Sequence, residues 1–219
     1  TTFVSYATTL SFGSLVGGVG LRLRLYARQG LGIHDVTRVI ALSMAGNWVA
    51  FALLAGLLLA TSTGLPASWT AVSTSAASPL ADAASPAPAG MSVILLRVIG
   101  VVTIAAIAGL MATSVIAGGK RWRVHSFDFV VPRWPLTLAL LALASLNWIL
   151  MAAIAWVLLA EQVPYMQVLL TLLASAVAGV VAHVPAGVGV FEATFSWLLG
   201  GQIERTTLIA ALLAYRAVY

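Results

Sequence analysis

The sequence has no cysteine and very little charge. Without a thiol it offers neither a disulfide framework nor a thiolate metal site. Only 8% of its 219 residues are charged, where soluble domains carry about 25%. Its six carboxylates are dispersed, which argues against a paired acid–base site. There is no H-E-x-x-H helix, no G-x-S-x-G nucleophile turn and no G-x-x-x-x-G-K phosphate loop. The expectation is a non-enzyme with no cofactor and no metal.

What fills the chain instead is apolar: 61% of residues are hydrophobic and mean hydropathy is +1.05. Such a composition belongs to a multi-pass membrane protein. The net charge of +5 sits on basic residues scattered through short loops. This pattern sets topology and does not make a nucleic-acid surface. The chain begins at Thr1 without a methionine and stops at Tyr219 inside an apolar run, and so reads as a piece of a longer protein with helices missing at both ends.

Windows of about 20 apolar residues mark crossings. Val39–Ala60, Ser92–Ala117 and Leu136–Ala160 qualify, and Met166–Ala182 and Leu208–Tyr219 are shorter. Residues 61–91 are rich in Ser, Ala and Pro, contain no Lys or Arg and cannot bury a core, so they read as a loop. Lys120, Arg121, Arg123 and Arg133 cluster between the second and third crossings, and Arg22, Arg24, Arg28 and Arg38 precede the first. Both groups belong on the cytoplasmic side by the positive-inside rule. The Ser/Ala/Pro loop and Glu161 to Tyr165 then lie outside.

Two glycine runs match each other. "GVGLRLRLY" from Gly18 resembles "GVGVFEATF" from Gly187, an offset of 169 residues. The same offset pairs Gly32 with Gly201, Thr37 with Thr206, Ile40 with Ile209, Ala45 with Ala214 and Val49 with Val218. Ala, Val and Gly are common here, so part of the matching is expected by chance, but the constant register favours a true repeat. Three crossings separate the two runs, which turns the copies upside down relative to each other. Inverted repeats with interrupted segments are the sequence mark of secondary transporters.

The expected fold is therefore all-α. It is a polytopic membrane protein with inverted-topology repeats and two re-entrant helical hairpins, broken at Gly17–Gly20 (Gly17, Gly18, Gly20) and at Pro185–Gly189 (Pro185, Gly187, Gly189). Pro185 removes a backbone donor, and the glycines allow conformations closed to other residues. Met166–Ala182 and Val190–Gly200 are the expected arms of the second hairpin, and Thr1–Val16 and Leu21–Gly30 those of the first. The chain divides into a first repeat (1–60), the loop (61–91), two transmembrane helices (92–160) and a second repeat (161–219). The arm after Gly189 points its N-terminus inward, where a helix attracts anions such as phosphate.

Ionisable groups at depth cost at least about 2.5 kcal/mol each on insertion scales. Glu192 and Arg216 are in that position, either as a structural pair or as a substrate contact. Arg22 and Arg24 follow the first break and are read as topology signal or as phosphate ligands. Asn47 and Asn147, each before a tryptophan, sit mid-span, where asparagine usually bonds across helices; a lining role is the alternative. His183 is expected to stabilise the break by hydrogen bonding, with ligand contact as the second reading. Arg97 should snorkel, and Trp134 and Tyr165 should anchor at the interface.

The stretches "VGGVGLRLRLYARQGL", "TRVIALSMAGNWVAFALLAG", "SLNWILMAAIAWVLL", "AGVVAHVPAGVGVFEATF" and "IAALLAYRAVY" resemble the YbhN-type inner-membrane proteins. That family shares a superfamily with the membrane part of MprF, the bacterial lysylphosphatidylglycerol flippase/synthetase. The resemblance covers nearly the whole chain except the Ser/Ala/Pro loop, and no synthetase domain is visible. It implies a multi-pass protein of the bacterial cytoplasmic (inner) membrane that moves a phospholipid, aminoacylated or anionic, between leaflets. Arg22, Arg24, Glu192 and Arg216 are the charged positions in the shared motifs.

The leading expectation is a lipid translocase whose partner is membrane phospholipid, with no nucleic acid; a homo-oligomer is compatible with the sequence. Arg22, Arg24 and Arg216 would hold phosphate, and Glu192 would balance Arg216 or meet a cationic headgroup. The rivals are a proton- or sodium-coupled carrier of small solutes or anions, and a non-transporting scaffold for a lipid-modifying enzyme. The repeat makes a topological prediction of its own. Cysteines introduced at Ser75, Ser126 and Gln202 should label from outside, inside and outside, and cytoplasmic labelling at 202 would rule out the inverted arrangement.

Overall fold

The structure, a computed structural model, describes residues 32–62, 65, 93–124, 127–130, 132–184 and 187–218. The expected first break (Gly17, Gly18, Gly20), Arg22, Arg24, most of the Ser/Ala/Pro loop and Pro185 lie outside the described residues. Six helices are described: α1 (Ile33–Thr61), α2 (Val93–Ala117), α3 (Trp134–Leu158), α4 (Tyr165–Ala182), α5 (Val190–Leu199) and α6 (Arg205–Val218). Four segments are long and apolar enough to cross a membrane: Val36–Thr61, Val93–Ala117, Trp134–Leu158 and Tyr165–Ala182. At about 1.5 Å per residue, the ten residues of α5 extend only about 15 Å, half of a hydrocarbon core.

One feature departs from an all-helical reading. Between α2 and α3 the chain forms a small antiparallel hairpin, β1 (Arg121–Val124) and β2 (Phe127–Val130), in which Arg121 faces Val130 and Arg123 faces Asp128. The signal for it was alternation at period two in "RWRV" and "FDFV". Each strand is only four residues long, and basic residues on both sides carry the stronger pattern there. Helix boundaries also moved slightly. α3 starts at Trp134, ahead of the expected Leu136, because Pro135 sits in the first turn, where its missing N–H costs nothing.

The helices pack in two ways. α1 and α2 meet through small residues: a Cβ added at Gly100 would come within 2.5 Å of the Ala60 nitrogen and 2.6 Å of the Gly56 carbonyl oxygen. Gly56 and Ala60 are four apart and share a face of α1, so two backbones approach where side chains would hold them off. At the top of this pair, Arg97 Nε donates to Ser62 Oγ at 2.7 Å, so the expected snorkelling arginine instead ties α2 to the end of α1.

The second mode uses large side chains. α4 is the most enclosed of the four candidate spans. Val168, Leu169, Leu172 and Leu173 join Phe195, Leu199, Leu208 and Leu212 of α5 and α6 in one core, completed by Ala152 and Ala155 of α3 and Leu54 and Leu58 of α1. α3 and α4 are pinned at their junction by two side-chain bonds. Trp156 Nε1 donates to the Val163 carbonyl at 2.9 Å, and the Tyr165 hydroxyl to the Ile149 carbonyl at 2.8 Å. The outward faces stay apolar, with Ile94, Val101, Val102, Leu143, Leu150 and Val157 exposed, as faces turned to lipid should be.

The α1–α2 crossing can be tested with two glycines of one helix. Gly100→Ala should lower the unfolding stability of the purified protein by about 1–3 kcal/mol, the usual cost of overpacking. Gly109→Ala has open space around it and should be neutral or mildly stabilising. Equal effects at the two positions would show that the crossing is not held by backbone contact.

Candidate functional site

The site is built on the connection between α4 and α5. α4 ends at His183, whose φ of 53° and ψ of 25° are left-handed, a conformation in which His is enriched among non-glycine residues. Its Nδ1 lies 2.8 Å from the Val181 carbonyl oxygen, two residues back along the chain. Gly187 and Gly189 follow with φ of +60° and +83°. Gly189 pairs its φ with a ψ of −37°, a region that L side chains avoid. The Gly187 turn lies over Gly179 of α4, where an added Cβ would be 3.9 Å from Gly187 Cα. α5 then folds back and packs along α4.

This geometry leaves a carbonyl at Gly187 and an N–H at Gly189 without helical partners, and the two expected charges meet them. The Gly189 N–H donates to Glu192 Oε2 at 2.9 Å, so Glu192, in the first turn of α5, also complements the positive end of that helix. From the last turn of α6, Arg216 Nε donates to Glu192 Oε1. Its Nη2 donates to Glu192 Oε2 and to the Gly187 carbonyl, both at 3.2 Å. The guanidinium carbon is 5.9 Å from the centre of the Phe191 ring. That ring stacks on Tyr215 at 5.4 Å and packs on Phe195 at 4.6 Å.

The pair is neither sealed nor free: the side chains of Arg216 and Glu192 are 29% and 28% exposed. Three of the guanidinium N–H groups are aimed at these acceptors; the two on Nη1 are not among them. An anionic oxygen that reached Nη1 would add to the bidentate pair without first breaking it.

The other expected residues are placed more loosely. Asn147 Nδ2 donates to Met151 Sδ at 3.5 Å, one turn along its own helix. The expected bond across helices is not the one formed, because an i, i+4 partner was nearer. Asn47 is half-buried on α1. Its neighbour Trp48 and the neighbour of Asn147, Trp148, both make edge contacts of 5.5 Å with Phe51, so the two Asn-Trp pairs mark a crossing of α1 and α3. Trp134 is 54% exposed at the start of α3, as an interfacial anchor would be. Among the described residues, no group of three or more His, Asp or Glu could hold a metal.

Sequence reasoning missed a polar stripe on α4. Gln167, Thr171 and Ser175 are all buried, and at four-residue spacing the three lie along one side of α4. The hydroxyls of Thr171 and Ser175 donate to the carbonyls of Gln167 and Thr171 at 2.8 and 2.7 Å. The interval of four was the available signal, hidden by the small size of the residues.

The chain is 37% identical over 219 residues to the inner membrane protein YbhN of Escherichia coli, a match that covers 99% of the chain and 63% of YbhN. The chain is a homologue of YbhN. An uncharacterized protein of Synechocystis sp. is 28% identical over 227 residues, covering 99% of the chain and 62% of that protein. The chain thus spans somewhat under two thirds of the length of these relatives. No protein-family model matches it. With four helices able to cross a bilayer and an inner membrane homologue, the chain is a multi-pass inner membrane protein, as its composition and resemblance indicated.

The pair and the glycine should be energetically coupled to the break. Glu192→Gln and Arg216→Gln should each destabilise the protein, and the double variant should lose less than the sum by about 0.5–2 kcal/mol in unfolding measurements. Strict additivity would mean that the two side chains do not support each other. Gly189→Ala should cost about 1–2 kcal/mol through its backbone alone, since no neighbour lies within 4 Å of the added methyl.

Proposed function

We propose that this chain forms part of a lipid translocase of the bacterial inner membrane, one that moves a phospholipid between leaflets and carries out no covalent chemistry. The observation that carries the reading is the half-exposed Glu192–Arg216 pair seated on broken backbone among apolar helices. Ionisable residues in such surroundings mark substrate paths by default. Arg216 is the phosphate ligand in this reading, and Glu192 either balances it or meets a cationic headgroup. In this reading α4 and α5 form a re-entrant hairpin from the outer side, and the expected inverted counterpart lies outside the described residues. Alternating access comes from one repeat rocking against the other. The acyl chains stay in lipid, which suits a site beside exposed apolar faces.

Similarity to YbhN supports the membrane setting and the shared motifs, and the substrate is the reading's own contribution. Full-length protein reconstituted with labelled phospholipids provides the test. Loss of leaflet asymmetry in the wild type, reduced at least tenfold by Glu192→Gln and by Arg216→Gln in folded protein, is the expected result. No movement of any phospholipid by well-folded protein would overturn it and turn attention to a solute carrier or a scaffold.

A further inference from the structure

Two buried polar atoms of α3, Ser145 Oγ and Trp148 Nε1, meet no hydrogen-bond partner among the described residues. Both lie near the middle of the candidate span Trp134–Leu158. An indole N–H can only donate, and burying it unmet costs the full desolvation of that group. The same helix satisfies its other buried indole, since Trp156 Nε1 donates to the Val163 carbonyl at 2.9 Å. Buried polar groups are nearly always bonded, so two orphans one turn apart call for a partner.

The register of the two helices shows where these atoms sit. Ser145, Trp148, Ala152 and Ala155 follow at intervals of three and four and share one side of α3. Asn47, Ala50, Leu54 and Leu58 do the same on α1. Leu54 and Leu58 are buried in one core with Ala152 and Ala155. Two contacts bracket the stretch that precedes this apolar part. A Cβ added at Gly46 would lie 3.5 Å from Leu140 Cβ, and the Phe51 and Trp148 rings are 5.5 Å apart. Asn47 falls between the first pair of contact points along α1, and Ser145 between the second pair along α3. The crossing is therefore apolar toward the C-terminal ends of the helices and polar at mid-span. Asn47 is half-buried, and its amide bonds no other described residue.

We infer that the α1–α3 crossing binds a water molecule at mid-span, which accepts from Trp148 Nε1 and bonds Ser145 Oγ and the Asn47 amide. Buried waters sit on groups of this kind and make about three hydrogen bonds each, whereas apolar gaps stay dry. The three groups are neutral, which suits water; an anion would call for a cation beside it. Asparagine in a span usually bonds across helices, and Asn47 does so here through the water. The inference stands apart from the translocase reading, and Glu192 and Arg216 take no part in it.

Nuclear magnetic resonance of the full-length protein in lipid nanodiscs, with its indole nitrogens isotope-labelled, gives the test. The Trp148 signal is the one that disappears in Trp148→Phe. The expected result is magnetisation transfer from water to the Trp148 indole proton. Ser145→Ala and Asn47→Leu should each weaken that transfer and together abolish it, with the other indole signals unmoved as the sign of an intact fold. Glu192→Gln should leave it unchanged. Absence of transfer at Trp148 in the wild type would overturn the proposal, and that measurement does not depend on how the Ser145 and Asn47 variants fold. Transfer that persists undiminished in the folded double variant would overturn it too, because the water would then be held by other groups.

Discussion

Backbone that leaves helical geometry among apolar helices must still find partners for its polar groups, and the second half of this structure is arranged around that requirement. Each unsatisfied group in a hydrocarbon setting costs several kcal/mol. Here the break between α4 and α5 exposes the Gly187 carbonyl and the Gly189 N–H, and a charged side chain answers each one. Glu192 is available because it lies one turn into the helix that the break begins. Arg216 is available because α6 packs beside α5 and brings its last turn to the same point. The two charges then neutralise each other, so what is closed at this point is a circuit of backbone and side chains together.

The rest of the packing follows from how little the solvent contributes. Where lipid surrounds the helices, burying apolar side chains gains little, and close approach of backbones has to supply the attraction. α1 and α2 meet this with Gly56, Ala60 and Gly100. α4 meets it differently: it packs against α1, α3 and α5, and its Leu172 and Leu173 share one core with Phe195 of α5 and Leu208 of α6. The tight crossing and the interlocked core are joined through α3, whose Trp148 reaches Phe51 of α1 while Ala152 and Ala155 face the core. The break therefore sits at the edge of the best-packed region, where α5 and α6 can hold it still.

How much of this could be read from the letters depended on how local the determinant was. The spans were legible because about 20 apolar residues in a row have few other uses. The second break was legible because Pro185, Gly187 and Gly189 stand together, and Glu192 and Arg216 were legible because charge is expensive there. That Glu192 and Arg216 meet across 24 residues was readable only as one of two options, since it depends on how α6 returns against α5. The hairpin was missed because its alternation spans four residues per strand, too short to outweigh the charge pattern around it. The cross-helix role given to asparagine failed at Asn147, where the choice was between a methionine one turn away and a neighbouring helix whose position no sequence window contains.

A neutral pair also constrains what can be moved through it, if lipid is what moves. A phosphate that took Arg216 wholly from Glu192 would leave a carboxylate uncompensated among apolar helices, a state more costly than the one it replaced. A ligand that carries a phosphate and an amine close together avoids that cost, because it can exchange partners with both members of the pair and leave no net charge behind. A purely anionic ligand would instead have to add to the pair, using the Arg216 N–H groups that Glu192 and Gly187 do not take. On the proposed lipid reading, a headgroup that pairs opposite charges would cost less at this site than one that carries negative charge alone.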